Sequence, residues 1–202
     1  MLFGLSVFLS AALVFLIHPQ QAKQQLPYFG GGAAVWTACM LFFQTLLLGG
    51  YSYAHLLGRY LAPLQQRKVH GLLLVVALAV SAGNLTLPAA TGSDAPLGAI
   101  ILYLLQIVGL PYLLLSATGP LVQHWFAHLQ TKHSPYRLYA LSNIGSVGGL
   151  LCYPFLLEPL LTLDNQWQLW LSGLTGFVLC MLLLMWRVLP ALSDTLRTQP
   201  LQ

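Results

Sequence analysis

The 202 residues carry only twelve charged side chains, eight Lys or Arg and four Asp or Glu, against 57% apolar residues and a mean hydropathy of +0.75. Soluble domains run near ~25% charged, so a value of 6% excludes a soluble fold, a disordered chain and a nucleic-acid binder. The net charge of +4 concerns loops and lipid head groups, because membrane proteins gather Lys and Arg on their cytoplasmic side.

Between the charges lie six uncharged intervals of 20 residues or more: 1–22, 24–58, 69–93, 95–131, 138–157 and 165–186. A helix needs about 20 apolar residues to cross a bilayer, so each interval holds one span. The expected spans are Leu2 to Ile17, Ala33 to Leu57, Gly71 to Leu87, Gly98 to His128, Leu138 to Leu157 and Gln166 to Trp186. The fold class is an all-α integral membrane bundle of six transmembrane helices, with residues 1–190 as one domain and 191–202 as a short cytoplasmic tail.

The first span lacks a basic leader and a small-x-small cleavage site, so it reads as a retained helix rather than a signal peptide. In the second, Gly50, Ala54 and Gly58 form a four-residue stripe that lets another helix approach closely. The fourth contains Gly109-Leu-Pro111 and Ser116-Ala-Thr-Gly-Pro120. Each proline removes a backbone donor and crowds the preceding turn, so this helix is expected to be kinked or broken, either as a packing feature or beside a binding cavity. The fifth opens on Ser134-Pro135, an N-cap followed by proline, and carries Ser142, Ser146, Gly145 and Gly149 as a packing seam. Trp36, Trp167, Trp186, Tyr28 and Tyr60 fall near span ends, where amphipathic rings favour the head-group region.

Seven of the eight basic residues, Arg59, Arg67, Lys68, Lys132, Arg137, Arg187 and Arg197, fall on one side of this topology. The positive-inside rule makes that side cytoplasmic and places both termini there. Lys23, Asp94, Glu158 and Asp164 fall on the other.

Chemistry-bearing residues are few. Gln44, Gln106 and Asn143 lie within spans, and burial in hydrocarbon predicts that they face the bundle interior and bond one another or the backbone. Cys39, Cys152 and Cys180 sit in apolar runs without a CxxC pair and read as small buried hydrophobes. His124 and His128, four apart, present two imidazoles on one helix face as a metal site requires, with His133, His55 or His70 as a third ligand, or with haem as an alternative occupant. No carboxylate or thiolate stands beside them, so neither a metal nor a cofactor is expected.

Phe15-Leu-Ile-His18-Pro19 is echoed by Phe155-Leu-Leu-Glu158-Pro159, with Ser6-Val7 and Ser146-Val147 at the same offset. Both segments exit on one side, which allows a His18 to Glu158 hydrogen bond. Glu158 directly ends an apolar span, and is either a proton or cation site or a helix-end residue in contact with water. Motifs for phosphate binding, serine hydrolysis or zinc proteolysis are missing, and four carboxylates leave no paired acid and base, so an enzyme is not expected.

Four segments taken together resemble the membrane domain at the N-terminus of bacterial fused MFS/spermidine-synthase-like proteins. They are Leu26-Pro-Tyr-Phe-Gly-Gly-Gly-Ala-Ala-Val-Trp36, then Cys39-Met-Leu-Phe-Phe-Gln44 with Gly50-Tyr-Ser-Tyr-Ala-His-Leu-Leu57. Gly109-Leu-Pro-Tyr-Leu-Leu-Leu-Ser116 with Gly119-Pro-Leu-Val-Gln123-His-Trp-Phe126 follows, then Ser134-Pro-Tyr-Arg-Leu-Tyr-Ala-Leu-Ser-Asn143 through Tyr153-Pro-Phe-Leu-Leu-Glu-Pro159. The resemblance implies a multi-span module of the bacterial inner membrane, normally followed by a Rossmann-type aminopropyltransferase-like domain using decarboxylated S-adenosylmethionine. No segment here can form that domain, so spermidine-synthase-like activity requires a separate catalytic chain. His18 stands where the family usually has an acidic or amide residue before proline, and the His124 to His133 cluster departs from the family's pattern.

The expected function is a non-catalytic membrane module or accessory subunit docking a separate protein or membrane complex through loops 59–70 and 124–137 and the tail. The alternative is a small-solute transporter, polyamine-like or other, acting as a half-unit or homodimer with Glu158 or His18 at its outer mouth. The expected partners are the lipid bilayer, a protein and a homo-oligomer, with no nucleic acid.

Overall fold

A computed structural model describes residues 1–29, 32–83, 96–129 and 136–198. They form six long helical elements. α1 is Leu2–Phe29, α2 Ala33–Tyr60 and α3 Pro63–Ala82. α4 runs continuously through Pro96–Leu104, a π-helical turn at Leu105–Gly109, and Leu110–Leu129. α5 joins Tyr136–Cys152, a π-helical turn at Tyr153–Leu157, and Glu158–Leu160, and α6 is Leu163–Thr198. The all-α class holds. Five of the six, all but α3, are long and apolar enough to cross a membrane; α3 spends its first two turns on Pro63-Leu-Gln-Gln-Arg-Lys-Val-His70.

Local chemistry accounts for the boundaries. Pro63 occupies the first helical position of α3, and the Gln65 side chain accepts from the Ala62 N–H at 3.1 Å. Thr162 caps α6 by accepting the Asn165 N–H at 3.3 Å, while Asp164 in the first turn complements the helix dipole. Both π-turns coincide with prolines. The turn at Leu105–Gly109 ends just before Pro111, whose missing N–H leaves a carbonyl one turn earlier free, and the second contains Pro154. The helix expected to be kinked or broken at residues 109–120 is not broken: it stays helical throughout, with Pro111 just after the widened turn and Pro120 within α-helix.

Three expected boundaries shift. α1 continues twelve residues beyond Ile17, through Pro19 and Pro27, because its second half is packed: Gln20, Gln21, Ala22 and Gln25 are buried. α3 begins eight residues before Gly71, and α6 runs on to Thr198, so most of the expected tail is helix. The Ser134-Pro135 cap, Lys132, His133, Asp94 and the span end at Leu87 lie outside the described residues.

Cross-helix contacts fix the directions. α1 and α5 run parallel, with Gly4 beside Leu141, Phe8 against Gly145, Ala12 against Gly149 and Lys23 against Glu158. α2 and α4 run parallel, with Phe43 near Tyr112, Gly50 near Ser116 and Gly58 near His124. α1 is antiparallel to α6, where Ser6 meets Cys180 and Trp170 donates to the Leu13 carbonyl at 3.1 Å. It is likewise antiparallel to α4, through Phe3 with Phe126 and His18 with Tyr112. α1, α3 and α5 thus point one way and α2, α4 and α6 the other. The central pair α1 and α4 carries α5 and α2 on one side and α6 and α3 on the other.

Glycine makes the closest of these approaches. A Cβ on Gly145 would lie 2.6 Å from the Phe8 carbonyl oxygen, and one on Gly149 2.6 Å from that of Ala12. Of the small-residue seam expected on α5, Gly145 and Gly149 form the surface through which it lies on α1, while Ser142 and Ser146 beside them are half-buried, and Gly50 serves α2 in the same way as the glycines against Leu113 and Ser116. Cys39 and Cys180 are buried as expected, Cys152 is half-buried, and all three are free thiols.

Candidate functional site

Charge separates by end. Arg59, Arg67, Lys68, Arg137 and Arg187, with the single carboxylate Asp194 among the described residues there, belong to the end that holds the N-terminus, whereas Lys23, Glu158 and Asp164 belong to the opposite end. Polar side chains between the ends gather at three places.

The first is a lateral cavity of about 270 Å³ between α2 and α5, floored by α1 and α4. Four serines line it, Ser10, Ser116, Ser142 and Ser146, with Tyr51, Tyr139 and Gln123. Ser10, Ser116 and Ser146 bond carbonyls of their own helices at 2.9 to 3.0 Å, so they offer lone pairs to the cavity while their protons are engaged. Gly119 and Pro120 form part of the wall, where a glycine and an N–H-free proline leave room beside the helix. Among the described residues no Asp, Glu, Lys, Arg or His lines it.

The second lies at the end opposite the N-terminus. Lys23 donates to Glu158 Oε1 at 2.7 Å, both side chains about two-fifths exposed, beside a recess of about 450 Å³ lined by Pro19, Trp36, Tyr153 and Pro154. His18 does not reach Glu158. Its Nε2 pairs with the Tyr112 hydroxyl at 2.7 Å, and its ring packs on Phe43 at 4.4 Å. The reason is helical phase: because α1 stays helical past Pro19, Lys23 lies about 140° around the axis from His18. Lys23 takes the face toward α5, and His18 the face toward α2 and α4.

The third is a recess of about 480 Å³ at the basic end, lined by Gly58, Ala62, Leu64, Gln66, His124, His128 and Leu192 among others. Gln66 is buried and joins the base of α3 to α4, accepting from Trp125 Nε1 at 2.7 Å and donating to the Leu61 carbonyl at 2.8 Å. His124 and His128 lie with ring centroids 4.4 Å apart, on one face as the spacing predicts. The other imidazoles point elsewhere: His70 is buried against the Tyr53 hydroxyl at 3.1 Å, and His55 is exposed on the outer face of α2. Among the described residues no three His, Cys, Asp or Glu side chains come together.

The intramembrane amides overturn an expectation. Gln44, Gln106 and Asn143 are all exposed on the outside of the bundle. The interior positions of α2 are taken by Val35, Ala38, Phe42, Gly50 and Ala54, whose phase leaves Gln44 on the opposite side of the helix. Apart from hydroxyls, the buried polar side chains among the described residues are others, namely Gln20, Gln21, Gln25, Gln66, His70 and Gln166. Each stands near a charge or a proline, and such neighbourhoods read as loops in the sequence. Their only signal is that glutamine recurs there, as in Gln20-Gln-Ala-Lys-Gln-Gln25 and Gln65-Gln66.

No protein-family model matches the chain, and no curated protein or solved structure is detectably similar to it.

Proposed function

We propose that the chain is a non-catalytic six-span module of a bacterial inner membrane, with both termini cytoplasmic, that docks a separate protein at its basic end. The observation that carries this reading is the recess of about 480 Å³ built jointly by α2, α3, α4 and α6. Arg59 and Arg67 adjoin its lining residues Gly58 and Gln66 in the chain, and Lys68 is exposed one residue further on. Asp194, the carboxylate next to the lining residue Ser193, is already engaged in an interaction. An acidic, partly apolar segment of a soluble partner matches that combination of cleft and charge. The membrane placement is supported by five helices of spanning length and by the charge bias between the two ends.

The experiment is copurification in mild detergent from the native membrane. The reading expects one stoichiometric partner that is released by salt and lost with the double variant Arg59→Glu, Arg67→Glu. A protein recovered alone at low salt contradicts it.

The lateral cavity favours a second reading, passage of a small uncharged or weakly polar solute, because hydroxyl and amide groups line it and, among the described residues, no fixed charge does. Uptake into proteoliposomes that falls with Ser116→Leu, a side chain filling the cavity, supports that reading.

A further inference from the structure

α2 carries a second surface that the bundle does not use. Thr37, Leu41, Gln44, Leu48, Tyr51 and His55 recur at alternating spacings of four and three, and all six are exposed, Tyr51 at the edge of this face where it also lines the lateral cavity. Leu41 and Leu48 are 61% and 67% exposed, at the centre of the face opposite the one packed on α4. Spacing of this kind is the heptad seam by which two helices pair at a shallow left-handed crossing. α2 is regular over all 28 residues, with neither proline nor π-turn to interrupt the seam. The outward face of α5, which holds Asn143, is broken by the π-turn at Tyr153–Leu157.

Gln44 sets the chemistry of the occupant. It lies eleven residues into α2, about 16 Å along the axis from Ala33 and so near the middle of a ~30 Å hydrocarbon core. The hydroxyls around it are satisfied at home, since Thr37, Thr45 and Ser52 donate to carbonyls of α2 itself at 2.8 to 2.9 Å. The Gln44 amide has no hydrogen bond within the chain among the described residues. Lipid offers it none, and its side chain is too short to reach the interface.

We propose that the occupant is the same helix of a second copy. Copies inserted in one orientation are related by a two-fold axis along the membrane normal, so α2 meets α2 in parallel and each seam residue faces its counterpart. An amide is both donor and acceptor, which makes Gln44 self-complementary, and the same holds for Tyr51 and His55. The seam holds no Asp, Glu, Lys or Arg that would repel its copy, and the nearest, Arg59, lies over its own Tyr60 ring at 5.5 Å. The inference rests on α2 crossing a bilayer, as proposed above, and is independent of the docking partner at the basic end.

The test is cysteine crosslinking in native membrane vesicles, in a Cys39→Ala, Cys152→Ala, Cys180→Ala background. Leu41→Cys, Gln44→Cys and Leu48→Cys are expected to give oxidised dimers, each with itself. Leu72→Cys on α3 and Leu179→Cys on α6, equally exposed to lipid, are expected to stay monomeric. A second measurement uses the chain with its own cysteines: resonance energy transfer between labelled copies in liposomes. There Gln44→Leu should weaken dimerisation roughly three- to twentyfold, as loss of an interhelical hydrogen bond in lipid predicts, and Gln44→Asn should restore part of it. Monomers at all three seam positions overturn the proposal, as does self-crosslinking of Asn143→Cys in their place. If carbonate extracts the chain from the vesicles, the membrane placement itself fails; if it does not, monomers refute the helix pair alone.

Discussion

Lys23 donates to Glu158 at 2.7 Å, across 135 positions of chain. This contact pins the far end of α5 to α1, beyond the glycines that seat the two helices lower down. It also gives Glu158 a cationic partner other than the His18 that the sequence allowed. Both side chains are partly exposed, and an ion pair screened by water is worth about 0–1 kcal/mol. Glu158→Gln should therefore shift thermal stability in detergent only slightly, and the charge swap Lys23→Glu, Glu158→Lys should return it to the parent value. If instead Glu158→Gln abolishes solute uptake at unchanged stability, the residue belongs to a transport pathway.

The glycines make a sharper prediction, because neighbouring positions carry opposite signs. Gly149→Ala places a methyl group 2.6 Å from the Ala12 carbonyl oxygen and should destabilise the bundle by about 1–3 kcal/mol. Gly148→Ala meets nothing within 4 Å and should be neutral or stabilising by about 0.5–1 kcal/mol, through the helix preference for alanine over glycine. Unfolding of the two variants in mixed micelles orders them; equal stability contradicts the close packing of α1 on α5.

Gln66 anchors the floor of the basic recess. Gln66→Leu leaves the buried Trp125 indole N–H without its acceptor, an effect of about 1–3 kcal/mol. The expected result is a lower unfolding temperature, together with weaker retention of the docked partner. The double variant Gln66→Leu, Trp125→Phe should cost less than the two single variants added together, since both remove the same hydrogen bond.

His18 and Tyr112 form the polar contact between α1 and α4 inside an aromatic cluster with Phe43. Tyr112→Phe removes that contact without changing the ring packing. It should destabilise the chain more than Tyr139→Phe, whose ring is 60% exposed. A larger loss for Tyr139→Phe would show that the cluster is not a structural joint.

The sequence made the helix number and the segregation of charge legible because both depend on composition over twenty-residue windows, which no tertiary contact alters. The seams at Gly145 and Gly149, and at Gly50 with Ala54, were legible for the same reason: small residues at four-residue spacing have one common use between helices. Helix phase was not legible. Gln44, Gln106 and Asn143 were expected inside because an isolated span cannot say which of its faces meets a neighbour, and burial of Phe42, Gly50 and Ala54 turned Gln44 outward. The extension of α1 past Pro19 was hidden by its glutamines, whose burial depends on packing partners far away in the chain. That extension separated His18 from Glu158 and built the Lys23 pair in its place.

The docking role is tested most directly at Leu64, which is 38% exposed and lines the basic recess. A benzophenone photo-crosslinker placed there and irradiated in native membranes should trap one soluble, acidic polypeptide in a discrete adduct. The same group at Leu72, on the outer surface of α3, should not trap it. Adducts only with lipid at Leu64, or the same polypeptide trapped equally at Leu72, would contradict a partner seated in the recess.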